Sequence, residues 1–141
     1  MAEGSVRRSV TIQRSAPGGL VITNVRGGQL PVGTGDGGDF TPTELLLGAL
    51  GSCTGIDVDI LTSRRAPAES FEVRVDAAKV RDDDGNHLTD IHITFHLEFP
   101  EGEDGDAARA VLPEAVKRSH DRLCTVGRTV ELGTPITTHV V

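Results

Sequence analysis

The stretch Thr41-Pro42-Thr43-Glu44-Leu45-Leu46-Leu47-Gly48-Ala49-Leu50-Gly51-Ser52-Cys53-Thr54, continuing to Arg65, decides the fold. Thr41 suits a helix N-cap, and Pro42 suits the first helical position, where its missing N–H has no partner to lose. Glu44 at the third position completes a capping box and sits at the positive end of the helix dipole. Arg64 and Arg65 suit the negative pole, and Pro67 stops further helix. At ~100° per residue, with Cys53 at zero, Leu46, Ala49, Leu50, Ile56 and Ile60 all fall within ~60° of the thiol. Leu47, Val58 and Leu61 lie on other faces, so the helix is apolar most of the way round and is expected to be central and buried. Gly48, Gly51 and Gly55 share the face opposite Cys53. Each mid-helix glycine costs about 1 kcal/mol relative to alanine. Three in register predict a close backbone approach there, a tight helix–helix contact that would also suit a second subunit.

Outward from this helix, the chain alternates strand and helix signals. Residues 5–14 mix Val and Ile with polar residues and predict a solvent-edged strand; Ala16-Pro17-Gly18-Gly19 is a turn, and Leu20–Val25 the returning strand. Gly27 to Asp39 reads as a glycine-dense loop. Beyond the helix, Phe71, Val73, Val75 and Ala77 alternate with polar residues, as do Ile91, Ile93, Phe95, Leu97 and Phe99. These predict a hairpin of strands 70–80 and 88–99, turned at Asp82-Asp83-Asp84-Gly85-Asn86. A second helix is expected from about Ala107 to Leu123, with Pro113 marking a break. Arg128–Glu131 and Ile136–Val141 read as short closing strands. The order predicts an α+β fold, a single domain over residues 1–141 with a mainly antiparallel sheet packed on helices.

Composition narrows the function classes. The chain has 141 residues, 14 of them basic and 21 acidic, for a net charge of −7, with no Trp, no Tyr and four Phe. It has neither the basic stripe that phosphate backbones require nor the aromatic platforms that stack bases, so nucleic acid is not an expected partner. An acidic surface is also repelled by anionic membranes. Met1 to Arg8 carries no apolar stretch behind its charges, so no signal peptide is expected, and no window is expected to reach the ~20 apolar residues of a membrane span. A cytoplasmic protein is the expectation.

In a reducing compartment the two cysteines, Cys53 and Cys124, are not expected to form a structural disulfide. Neither has a second Cys or His at zinc-ligand spacing, and no metal or cofactor is expected. Two readings stay open on the residues alone: buried small hydrophobes, or a redox pair. Burial raises a thiol's pKa, and Asp57, one turn beyond Cys53, would raise it further, so a reactive Cys53 requires a compensating cation.

The segment Pro42 to Thr54 resembles the OsmC/Ohr family: a proline, an acidic residue, leucines, small residues, then a cysteine. Ser119-His120-Asp121-Arg122-Leu123-Cys124-Thr125-Val126-Gly127-Arg128-Thr129 is similar to the family's second cysteine segment. The resemblance runs from about residue 5 to the end. It implies an OsmC-like fold, with the sheet wrapped around long central helices in an intertwined homodimer. It implies a peroxiredoxin-like hydroperoxide reductase of the oxidative-stress response, in which Cys53 attacks the peroxide and Cys124 resolves the resulting sulfenic acid as a disulfide. A dithiol reductant would restore the thiols. Organic hydroperoxides are the expected substrates, since Cys53 stands among Leu, Ile and Phe.

In well-characterised peroxidases of the family an acid directly after the proline pairs with an activating arginine. Here that position is Thr43 and the acid is Glu44, which the helical wheel turns away from Cys53 and toward capping. The arginine candidates are Arg14, at the first turn, and Arg26 beyond it. Two other readings are carried alongside: a non-catalytic dimer binding a small hydrophobic molecule, and a cysteine-pair redox sensor.

Smaller motifs read as structure. Gly33-Thr34-Gly35-Asp36-Gly37-Gly38 fits a dinucleotide-loop pattern formally, but no helix opens within it, and Asp36 and Asp39 would repel a pyrophosphate. His92 and His96 are roughly 13 Å apart along a strand at ~3.3 Å per residue, too far to share a metal. Asp82–Asp84 lacks the terminal glutamate of a calcium loop. His120, four residues before Cys124, is either an assistant to that thiol or a half-exposed helix histidine.

Overall fold

A computed structural model describes residues 4–141; Met1, Ala2 and Glu3, part of the N-terminal stretch expected to lack a signal peptide, lie outside the described residues. The described residues form two compact units, one running up to Leu46 and the other from Leu47 to Val141. In the first unit, β1 (Val10–Ala16), β2 (Gly19–Asn24) and β3 (Gln29–Val32) form an antiparallel sheet in the order β1-β2-β3. The turn at Pro17-Gly18 closes the first hairpin, with Gly18 at φ 78°. β3 corrects the expectation of a loop: Leu30 pairs with Ile22 and Pro31 with Val21. Pro31 hides the strand signal in the sequence, and β3 tolerates it because it is the outer strand of the sheet.

The helix α1 (Pro42–Ser63) begins where the capping box places it. The Thr41 N–H donates to Glu44 Oε1 at 2.9 Å, and the Glu44 N–H donates to Thr41 Oγ at 3.2 Å. These bonds to Thr41 hold the Glu44 carboxyl below the ordinary carboxylate range. By length and composition α1 is apolar enough to cross a membrane, contrary to expectation, because its glycines and threonines interrupt the apolar run without lowering its average much. It is nevertheless built into a folded unit: Leu50, Gly51, Thr54, Gly55, Val58 and Thr62 are buried.

In the second unit β4 (Ser70–Asp82) and β5 (Gly85–Glu98) form the expected hairpin, with a tight turn at Asp83-Asp84. The Asp84 N–H donates to Asp82 Oδ1 at 2.9 Å, and Gly85 has φ 95°, so the acidic run is a turn. The pairing shifts between Asp76↔His92 and Ala78↔Thr89, a bulge in which Asp90 takes φ 54°. The bulge reverses the alternation of β5, so that Leu88 and Ile91 are both partly buried.

The glycine face of α1 corrects the expected helix–helix contact. A Cβ on Gly51 would lie 2.6 Å from Val75 Cγ2, and one on Gly55 would lie 3.5 Å from Val73 Cγ2. The close neighbour is therefore the side-chain surface of β4. Nor is α1 buried all round. Ile56 and Ile60, on the Cys53 side, are 61% and 54% exposed.

The helix α2 (Glu103–Arg118) starts four residues earlier than expected and runs through Pro113 without a break. Its first turn carries Glu103, Asp104 and Asp106, suited to the positive end of the dipole. Gly105 is required for backbone approach: a Cβ there would overlap the Pro100 carbonyl oxygen. Ala66, Phe99 and Ala108 form a small buried cluster beside it, flanked by Leu97 and Leu112. Ser119–Leu123 is a π-helical turn, and α3 (Thr125–Glu131) comes next. Both expected closing strands are corrected. Arg128–Glu131 lies in α3, where Thr129 Oγ donates back to Thr125 O at 2.8 Å, and residues 134–141 adopt no regular structure. The β-branched Thr129 and Val130 read as strand, but in α3 local i to i−4 bonding prevails.

Candidate active site

The two cysteines come together within the second unit. Cys53 is half-buried on α1, Cys124 is buried at the junction of the π turn and α3, and both are free thiols. Cys124 is the N-cap of α3. Its backbone is extended (φ −75°, ψ 99°), and its sulfur accepts the Gly127 N–H at 3.2 Å. Burial, first of all, pushes the Cys124 thiol above its ordinary value, and Cys53 and Asp57 push it the same way. The Gly127 N–H, which favours the thiolate, opposes them without prevailing. Cys124 therefore rests as a thiol at neutral pH.

The Oδ2 of Asp57 accepts a hydrogen bond from Ser119 Oγ at 2.8 Å, and the Asp57 charge acts on Cys124. Ser119 is fully buried, and its carbonyl accepts the Cys124 N–H at 2.8 Å. The sequence reading missed Ser119. The available signal was a small polar residue in the turn before Cys124, but nothing in the sequence pairs it with an aspartate 62 positions earlier.

A cavity of about 430 Å³ opens beside this junction, lined by Leu50, Ile91, Ile93, Phe95, Val116 and Cys124 among others. Lys117 and His120 also reach it. His120 is exposed, with Nδ1 at 3.0 Å from Asp121 Oδ1 and Nε2 at 3.3 Å from Glu131 Oε1. The bond to Asp121 first, and then the charge of Glu131, raise its pKa above the ordinary histidine value. Arg128 joins the group, donating to Glu131 Oε1 at 3.1 Å and to the His120 carbonyl at 3.4 Å. His120 therefore ties the π turn to α3.

The other three residues singled out by resemblance, Glu44, Arg14 and Arg26, belong to the first unit. Glu44 is engaged in the helix cap. Arg14 lies on β1 opposite Leu20, exposed, with no ion pair among the described residues. Arg26, also exposed, offers its backbone N–H to Asn24 Oδ1 at 2.9 Å.

Comparison with known proteins agrees with this architecture. The chain is 30% identical over 131 residues to an uncharacterized protein of Mycobacterium tuberculosis strain H37Rv, covering 92% of this chain and 93% of that one. Its fold is similar to that of an OsmC-like protein of unknown function from Vibrio cholerae, with a TM-score of 0.73 at 12% identity over 90% of this chain and 95% of that one. It is similar also to the organic hydroperoxide resistance protein OhrB of Bacillus subtilis, with a TM-score of 0.54 at 14% identity over 88% and 90%. Residues 35–139 match the family model described as OsmC-like protein. With its α+β architecture and both cysteine segments inside that match, the chain belongs to the OsmC-like protein family.

Proposed function

We propose that the chain is a thiol-dependent peroxidase for organic hydroperoxides, working as one OsmC-like domain within an intertwined homodimer. The observation that carries this reading is the pairing of a half-buried thiol, Cys53, with a buried one, Cys124, across α1 and the π turn. The Cys53 thiolate attacks the outer peroxide oxygen; the O–O bond breaks, the alcohol leaves with a proton, and Cys53 becomes a sulfenic acid. The Cys124 sulfur then attacks the Cys53 sulfur, the S–O bond breaks, and the hydroxide departs as water with the Cys124 proton. A dithiol reductant opens the disulfide by exchange and is itself oxidised. A thiol kept protonated by burial suits the second of these roles, since it stays out of competing peroxide chemistry until a sulfenic acid forms beside it.

The test is one equivalent of an organic hydroperoxide, followed by intact mass and by peroxide consumption with a dithiol. The wild type is expected to lose two hydrogens and to turn over, and Cys53→Ser to do neither. An unchanged wild-type mass overturns the reading. Arg14 rests on resemblance; Arg14→Ala is expected to lower kcat/KM for the hydroperoxide. The apolar cavity beside Cys124 favours a second reading, a dimer that binds a small hydrophobic molecule without turnover. Saturable binding of such a molecule, with no mass change under peroxide, would select it.

A further inference from the structure

The segment that carries Cys124 is irregular, yet one side chain fixes it to the regular helix that carries Cys53. Ser119 opens the π turn, and the five residues Ser119–Leu123 bring the Cys124 N–H onto the Ser119 carbonyl at 2.8 Å. The Ser119 hydroxyl points the other way and donates to Asp57 Oδ2 at 2.8 Å. Asp57 lies one turn beyond Cys53 on α1. Ser119 thus holds the residue bearing one sulfur with its main chain and the helix bearing the other with its side chain. Ser119 itself is fully buried, and the Asp57 end of its bond is partly so, which strengthens both bonds over what water would allow. A π turn is an uncommon way to end a helix and recurs at functional sites, because the extra residue re-aims the side chains beyond it. Here the re-aimed residue is Cys124.

We infer that the Ser119–Asp57 hydrogen bond is the strut that sets Cys124 against Cys53, making Ser119 and Asp57 positioning residues for closure of the disulfide. The inference rests on the redox pairing proposed above but not on peroxide turnover. The strut takes no part in the electron transfer; it raises the effective concentration of one sulfur at the other. Losing it leaves the first oxidation of Cys53 intact and slows the second step.

Two measurements on the whole 141-residue chain separate the step and the strut. In the first, the fraction of Cys53–Cys124 disulfide is followed at equilibrium in a buffer of reduced and oxidised dithiothreitol, which needs no peroxide. In the second, sulfenic acid formation at Cys53 is trapped with dimedone in a Cys124→Ser background. Ser119→Ala and Asp57→Ala are each expected to lower the closure constant about tenfold, and the double variant no further, because both remove one bond. Asp57→Asn keeps an acceptor oxygen while removing the charge, and is expected to retain most of the wild-type constant. That outcome separates positioning from electrostatics. Trapping at Cys53 is expected to change less than twofold with Ser119→Ala.

Wild-type closure in the folded Ser119→Ala variant, checked by thermal melting, overturns the inference. So does an Asp57→Asn loss equal to that of Asp57→Ala, or the absence of any wild-type disulfide in the buffer. A wild type that closes in the buffer but ignores peroxide, with Ser119→Ala impaired, sinks the peroxidase and keeps the strut.

Discussion

The two cysteine segments are held by opposite means. Cys53 sits in the middle of a 22-residue regular helix whose position is set by packing, with Gly51 and Gly55 against Val73 and Val75 of β4. Cys124 sits between a π turn and a seven-residue helix, held by hydrogen bonds and charge pairs: Ser119 to Asp57, Gly127 to its own sulfur, and His120 to Asp121 and Glu131. Packing tolerates little displacement, since a buried surface either fits or clashes. A polar network on a short segment yields to local opening at much lower cost. The difference suits the proposed chemistry, in which the attacked sulfur stays fixed and the resolving sulfur has to close on it.

The comparison breaks most visibly at the uncovered side of α1. Ile56 and Ile60 are large, apolar and exposed beside Cys53, and the proposed homodimer covers them. Sedimentation of the wild type is expected to give a dimer, and that of Ile56→Glu/Ile60→Glu a monomer, because two carboxylates would have to be buried without partners. A dimeric double variant would mean that this face is not the interface.

The glycine face gives the next largest effect. In Gly51→Ala the new Cβ meets Val75 Cγ2 at 2.6 Å. Overpacking costs about 1–3 kcal/mol, more than the roughly 1 kcal/mol that alanine contributes over glycine in a helix. Chemical denaturation is expected to show a net loss, recovered in large part by adding Val75→Ala. Gly55→Ala, whose Cβ would find Val73 at an ordinary 3.5 Å, is expected to be neutral or stabilising by up to about 1 kcal/mol. Equal losses at both positions would mean that the helix is not located by this contact.

These positions also show what the chain discloses before it folds. The capping box Thr41/Glu44, the alternation of Phe71 to Ala77 and the Asp-rich turn are local signals, and each element formed where its signal stood. The glycine stripe was legible as a close approach but not as an approach to β4, because a face pattern does not name its partner. The exposed Ile56 and Ile60 mislead for the same reason: hydropathy gives a preference for cover and leaves its source open. At the second cysteine the local signals mislead outright. Thr125, Val126, Thr129 and Val130 favour strand by type, while a sulfur cap and a threonine back-bond make the helix. The bond between Ser119 and Asp57 was beyond reading, since it joins two segments that only the fold brings together.

The polar segment makes a pH prediction near neutrality that the packed one does not. His120 has its pKa raised by Asp121 and Glu131. A histidine raised on folding contributes stability that is fully present below its unfolded pKa, near 6.5, and is lost as pH rises through the folded value. Hydrogen exchange across Thr125–Glu131, corrected for its intrinsic pH dependence, is therefore expected to lose protection as pH increases from about 6.5, and His120→Gln to abolish the change. Amides of α1 facing β4 are expected to show no such step. A step shared by both segments would assign the titration elsewhere.

The smallest effect is expected at Gly127, and it addresses the sulfur itself. A Cβ there would stand 3.2 Å from Cys124 Sγ, closer than an ordinary contact by a few tenths of an ångström. The Gly127 N–H already reaches that sulfur at 3.2 Å. In Gly127→Ala the sulfur has to shift, and α3 gains helix propensity of up to about 1 kcal/mol in exchange for the weakened cap. Global stability is thus expected to move little, while alkylation of Cys124 by iodoacetamide at pH 8 speeds up a few-fold, because displacement lessens the burial that keeps the thiol protonated. Cys53 alkylation in the same sample is the internal control and is expected to stay within twofold. A variant in which both cysteines speed up together would show that the two segments move as one body and that the contrast between a packed helix and a polar strap does not hold.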